Sequence, residues 1–420
     1  MSVVMHTLRN GVRVVVAPMP GVETVSVGCW VDVGGRHERP EENGLAHMLE
    51  HMAFKGTESR SALRIAEEIE GVGGYLNAYT SREQTAYYAR VLREDIDLAV
   101  ELIADILLAS TFPEDELARE REVIRQEIAQ VRDTPDDLIF DNLQLAAYPD
   151  QAVGRSILGE PERVTQFARD DLGRFLGRGY VAPHMVVAAA GAVDPDAFMR
   201  QIERLFSTVR TAGTDPLESA VWRGGVIIDG RDIEQLHLAL GFDGVGYHDP
   251  DYVASQVLSN VLGGGMSSRL FQEVRERRGL AYNVFSFAGS MIDGGMIGVY
   301  AAADPDAAAE LGPVLCDEIR RVADDASEEE TARARAQMKA GLVMSLESSS
   351  ARLEQIARQV LLYGRPLQTA DLLAEVDMVD AAVVRRVAGR LFTAPKTLAM
   401  AAVGPAERLA SHGEFVRHLG

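Results

Sequence analysis

The chain repeats itself, and the repeat limits the folds open to it more than any other feature. Val25, Val27, Cys29, Val31 and Val33 alternate with less apolar positions, the pattern of a half-buried strand with one face in a core. At an offset of 211 residues, Leu236, Leu238, Leu240 and Phe242 alternate in the same way, and the match extends from Asp32 to Asp243 and from His37 to His248. Two copies of one architecture are therefore expected. A chain of 420 residues also suits two domains of about 200 residues better than one core. Residues 209–225 break periodicity with Gly213, Asp215-Pro216 and Gly224-Gly225, as a linker does. The organisation read from sequence is an N-terminal repeat (1–208), this linker, and a C-terminal repeat (226–420).

Each repeat mixes strands with long helices. The opening residues read as a hairpin with Asn10-Gly11 as its turn. Pro113 to Arg132 starts with proline and acidic residues and then runs without a breaker, so it predicts a helix, as does the segment after Ser327. Strands and helices in runs, rather than in strict alternation, point to an α+β class: helices packed on a mainly antiparallel sheet, twice over.

Composition sets limits. No apolar run reaches the roughly 18 residues of a membrane span, and the start of the chain lacks the pattern of a secretory leader, so a cytoplasmic location is expected. Cys29 and Cys316 read as buried, reduced thiols. The net charge of −21 repels phosphates and argues against nucleic acid. It has two readings, a solubilising surface or a partly acidic chamber for basic peptides.

Chemistry concentrates in His47-Met48-Leu49-Glu50-His51. On a helix the two histidines, four apart, share a face and can converge on one ion, and zinc is the metal that such a pair suits. Glu50 beside them can take a proton from a water held at that ion, the role of a general base. With nine histidines in the chain, this pentapeptide arises by chance on the order of once in a hundred such sequences. A third ligand is available on the 113–132 helix, which carries Glu120, Glu122 and Glu127. Glu120 and Glu127 are two turns apart on one face, so one can ligate while the other orients a ligand or the site.

These residues resemble a known family. An H-x-x-E-H motif followed by a glutamate 76 residues after its second histidine, here Glu127, is similar to the signature of the pitrilysin-type zinc peptidases, the inverzincins. Glu120 and the segment Gly73 to Thr85 also resemble the family's pattern, and the likeness runs essentially end to end. Within the family it is to the beta subunit of the mitochondrial processing peptidase and its bacterial relatives. The resemblance implies the pitrilysin-like fold and a zinc endopeptidase acting on unfolded or extended peptides. One zinc per chain would be held by His47, His51 and Glu127, with Glu50 and Glu120 in the catalytic set. A non-catalytic scaffold or partner subunit of the same fold is the alternative.

Substrate contacts follow in the same terms. Asn77 and Ala78 lie in the strand-like segment that would pair with an extended peptide. Asp137 and Asp141, four apart at a helix start, match acidic positions that bind an arginine before the cleaved bond, although acids there also complement the helix dipole. Arg275 and Tyr282 resemble an arginine and tyrosine that hold substrate near the scissile bond, against the plainer reading of a surface arginine and a core tyrosine. Because single-chain relatives carry that pair in a fourth domain, a two-domain chain is expected to work as a homodimer with composite active sites. In the second repeat His47, Glu50 and His51 become Leu258, Val261 and Leu262, so that copy has lost the chemistry. Gly263-Gly264-Gly265 lacks the lysine of a phosphate loop and reads as a turn or flap.

Overall fold

A computed structural model describes residues 3–213, 216–392 and 397–420. Met1 and Ser2 of the expected hairpin, and Thr214 and Asp215 of the expected linker, lie outside these residues. The described chain forms two compact units, each built from three stretches of sequence.

The first unit gathers Met1–Ala129, Arg155–Glu218 and Val343–Leu367. Its sheet holds β1 (Val4–Thr7), β2 (Arg13–Pro18), β3 (Thr24–Val31), β4 (Tyr75–Thr80), β5 (Thr85–Leu92) and β6 (Met185–Gly191) in the order β1-β2-β6-β3-β5-β4. All neighbours run antiparallel except β2 and β6. The β1–β2 hairpin turns at Gly11 with φ +102°, a conformation that glycine adopts without a Cβ penalty.

The second unit gathers Gln130–Gly154, Ser219–Leu342 and Gln368–Gly420. Its strands are β7 (Gly225–Asp229), β8 (Leu236–Asp243), β9 (Ala281–Ser290), β10 (Gly295–Ala303) and β11 (Ala399–Val403), ordered β7-β11-β8-β10-β9. Only β7 and β11 pair in parallel. Without β1, the first sheet has this same order and the same directions, so the 211-residue offset is a repeat of topology as well as of sequence.

The alternation in the β3 segment predicts one buried face, yet every β3 residue after Thr24 is buried. The reason is a helix supplied by distant sequence. Ser349–Tyr363 lays Leu353, Ile356, Ala357 and Val360 against Val15, Trp30, Ala86, Val186, Ala188 and Ala190. Ser26, on the same sheet face, meets Ser349 and Ser350 at the helix start through hydroxyl contacts of 2.9 and 3.1 Å. The second sheet is covered in the same manner by Pro135–Ala147, whose Ile139, Leu143, Ala146 and Ala147 pack with Ala239, Met296, Tyr300 and Ala401. Each sheet is thus the middle of three layers. The opposite face of the first sheet packs on the helices Leu45–Ala53, Ile96–Leu108 and Glu114–Asp133, which bring the histidines and the glutamates to one end of the unit.

Candidate metal centre

The H-x-x-E-H segment is a helix, Leu45–Ala53. Its apolar residues Leu45, Ala46, Met48, Leu49 and Met52 are buried, and that burial fixes the rotation of the helix. His47, Glu50 and His51 are left on the remaining face, where the 114–133 helix presents Glu120 and Glu127. Among the described residues, His47, His51 and Glu127 form the one group of three whose donor atoms lie within 4.8 Å of one another. Glu127 Oε2 is 3.7 Å from His47 Nε2 and 3.6 Å from His51 Nε2. Ligands at about 2.0–2.1 Å around a tetrahedral zinc stand roughly 3.3–3.4 Å apart, so both glutamate–histidine separations fit the ion after a shift of a few tenths of an ångström, and all three donors lie within 4.8 Å.

Their surroundings suit the fit. Burial, with the neighbouring His51, pushes the His47 imidazole down to about 3, so it is neutral and available as a ligand at neutral pH. Among the described residues, none meets the buried His47 Nδ1. His51 is better supported: its Nδ1 meets Glu120 Oε2 at 2.9 Å, which directs Nε2 toward Glu127. Burial opposes charge on His51, but Glu120, Glu127 and Glu50 outweigh it and raise its pKa. Glu120 is itself buried and takes Lys55 Nζ at 2.6 Å on its other oxygen. Although burial works against ionisation, His51 and Lys55 hold its carboxyl below the usual range. Glu120, which the sequence reading places in the catalytic set, lies behind His51 and contacts its Nδ1.

Glu50 lies outside the donor triplet. Burial raises its pKa, with Glu127 adding to the effect and Thr80 and His51 opposing it. A carboxylate drawn toward neutrality is matched to accepting and returning a proton.

Asn77 and Ala78 fall on β4, the last strand of the first sheet. The Asn77 side chain is exposed and its Oδ1 accepts the Ala78 N–H at 2.9 Å, so one donor of this edge is capped by a neighbouring side chain. In the second unit, Asp137 and Asp141 lie near the start of the 135–147 helix, Asp137 exposed and Asp141 half-buried. The polar contact with the second sheet there belongs to their exposed neighbour Asp136, which accepts from Tyr300 Oη at 3.0 Å and lies 2.9 Å from His237 Nδ1. Arg275 sits in a π-helical segment, Phe271–Arg277. Its guanidinium carbon is 4.5 Å from the Tyr282 ring centre and 4.7 Å from that of Phe271. Tyr282 is 76% exposed, which sets aside the reading of a core tyrosine. Leu258, Val261 and Leu262 are core residues of the helix Tyr252–Gly263, and Gly265 to Ser268 form a hydrogen-bonded turn. Lys55 escaped the sequence reading, although its place four residues after His51 was a signal.

With this geometry in view, comparison with known proteins is direct. Residues 13–161 match the family described as Insulinase (Peptidase family M16), and residues 166–338 match the Peptidase M16 inactive domain. A protein named as a zinc protease in Rickettsia bellii is 38% identical over 399 residues, 95% of this chain and 96% of that one. The chain belongs to the M16 peptidase family. A probable beta subunit of the mitochondrial-processing peptidase from Arabidopsis thaliana is 38% identical over 427 residues, 98% of this chain and 80% of that one. M16-type folds also appear among solved structures. A protease from Helicobacter pylori superposes with a TM-score of 0.88 at 23% identity, covering 96% of this chain and 99% of that one. A chain of Candida albicans complex III gives 0.89 at 22% identity, with 100% of both chains covered. The inactive-domain match falls largely on the repeat whose histidines have become leucines.

Proposed function

We propose that this M16 protein is a zinc-dependent endopeptidase that hydrolyses unfolded or extended peptides, in the manner of a processing peptidase. The observation that carries the reading is the convergence of His47, His51 and Glu127 within 4.8 Å, with Glu50 next to them and outside the donor set. A scaffold subunit would have no use for a neutral, buried His47 or for a buried Glu120 spent on orienting His51.

His47, His51 and Glu127 would hold zinc, which would supply Lewis-acid chemistry toward a water and the scissile carbonyl. Glu50 takes the proton of the attacking water and then delivers it to the leaving amine, for which its raised pKa is suited. Glu120 keeps the His51 ring in one tautomer and orientation. The β4 edge at Asn77 and Ala78 pairs with an extended peptide, which gives affinity with little demand on its sequence. Asp137 and Asp141 favour a basic residue before the cut. Arg275, stacked on the exposed Tyr282, holds substrate in the active site of a second copy of the chain, so the working form is a homodimer. Two buried, unpaired thiols are consistent with a reducing, cytoplasmic setting, and no helix among the described residues is long and apolar enough to cross a membrane.

Digestion of a mixed peptide library, with the new ends sequenced before and after chelation and zinc return, tests this. Cleavage that stops on chelation, returns with zinc, and is enriched for Arg or Lys before the cut is the expected result. Cleavage indifferent to chelation, or none from the zinc-loaded protein, contradicts it.

A further inference from the structure

The start of the motif helix is unusual. Gly44 is its N-cap, in the left-handed region at φ +97°, and offers no side-chain cap. A Cβ at that position would meet Leu158 O at 2.8 Å and Gly159 Cα at 2.9 Å, so the serine, threonine or aspartate that usually caps a helix does not fit. The first-turn donors are instead served from six residues upstream. Glu38, only 3% exposed, accepts the Gly44 N–H at 3.0 Å on one oxygen and the Ala46 N–H at 2.7 Å on the other. The Asn43 side-chain amide donates to the first oxygen at 3.2 Å and to Ser156 O at 2.9 Å. Arg155 anchors the other end of the residue by donating to the Glu38 carbonyl at 2.6 Å.

The second repeat supplies an internal comparison. Its matching helix, Tyr252–Gly263, begins a turn earlier in register, with Asp251 as N-cap. The residue matching Gly44 there is Ser255, inside the helix, and the residue matching Glu38 is Asp249, which pairs with Arg390 and accepts the N–H of the N-cap residue Asp251 at 2.8 Å but, among the described residues, reaches no donor within the helix itself. Both repeats place a buried carboxyl at this helix start, Asp251 in the second and Glu38 in the first. Asp251 is ion-paired with Arg386 and Arg390, whereas Glu38 turns both oxygens to helix backbone donors and the Asn43 amide, and burying such a group is costly.

We propose that Glu38 is a positioning residue of the metal centre: it caps the motif helix from outside and fixes the start and axial position from which His47, Glu50 and His51 face Glu127. Burial raises the pKa of this carboxyl to about 8, against the pull of the Ala46 and Gly44 backbone donors and the Asn43 amide, so its hold on the helix is through hydrogen bonds rather than through charge. This inference rests on the zinc reading of the site and adds a residue that touches neither metal nor substrate.

Zinc affinity by competition with a chelating dye, the visible spectrum of the cobalt-substituted protein, kcat and KM are to be measured on wild type, Glu38→Gln, Glu38→Ala and, as a control, Asp249→Asn. All are read well below each variant's Tm. Glu38→Gln keeps the volume but turns an amide N–H toward backbone donors. It is expected to weaken zinc binding by roughly tenfold, the lower end for residues supporting a ligand set, to change the cobalt spectrum, and to lower kcat more than KM. Asp249→Asn is expected to lower Tm alone. Should Glu38→Ala not fold, Glu38→Gln decides. A Glu38→Gln protein with lowered Tm but wild-type zinc affinity, cobalt spectrum and kcat overturns the proposal. If wild type itself binds no zinc, the zinc reading has failed instead, and the two failures are separate.

Discussion

At the scale of single residues, what distinguishes the metal centre is how differently its two histidines are supported. His51 is held by a buried carboxylate that is in turn held by Lys55, whereas among the described residues none meets His47 Nδ1. Glu120→Gln should therefore weaken zinc binding about 10–100-fold, the usual cost of losing a group that orients a ligand, measurable by dye competition. An unchanged affinity would remove Glu120 from the account. A second residue sets a pH dependence outside the site. His37 is pushed down to about 4, by burial first and then by Arg36 and His184. The unfolded chain takes this proton near 6.5, so the folded state loses stability as pH falls from about 6.5 toward 4 and nothing further below. The loss is at most about 3 kcal/mol. Chemical denaturation of His37→Gln at pH 7 and pH 4 should show a smaller difference than wild type; an equal difference counts against the assignment.

At the scale of elements, the sequence was most readable where a pattern is local. The 114–133 helix, the β1–β2 hairpin and the motif helix follow from capping, turn and spacing signals. The convergence of His47, His51 and Glu127 was legible because helix spacing and the 76-residue separation single these residues out. Burial of the second sheet face was not legible. Ser26, Gly28 and Trp30 read as the outer face of β3, because the helix that covers them comes from residues 349–363. Glu38 was hidden for a similar reason: its partners are backbone groups, and a backbone donor leaves no mark in the sequence. The covering helix makes a prediction. Ile356 is fully buried against the first sheet, so Ile356→Ala should cost about 2–5 kcal/mol in equilibrium unfolding. Residues 1–218 produced alone should expose Trp30 and Val186 and aggregate, and adding a 343–367 peptide should improve their solubility. A soluble, cooperatively folding 1–218 fragment would contradict the role given to that helix.

At the scale of the whole molecule, the two repeats differ at matching positions. One carries His47, Glu50 and His51, and the other has core leucines and valine there together with a half-exposed Arg275 stacked on the exposed Tyr282. Under the homodimer proposal, a Glu50→Gln chain and an Arg275→Ala, Tyr282→Ala chain, each nearly inactive alone, regain activity when mixed and allowed to exchange. Absence of rescue in confirmed heterodimers rules out composite sites. The central claim, that His47, His51 and Glu127 hold zinc while Glu50 moves the proton, is tested most directly by measuring zinc content and peptide turnover together in Glu50→Gln. The account predicts one zinc per chain, as in wild type, with turnover reduced by about 10²–10⁴-fold. Normal turnover, or loss of zinc along with activity, would contradict it.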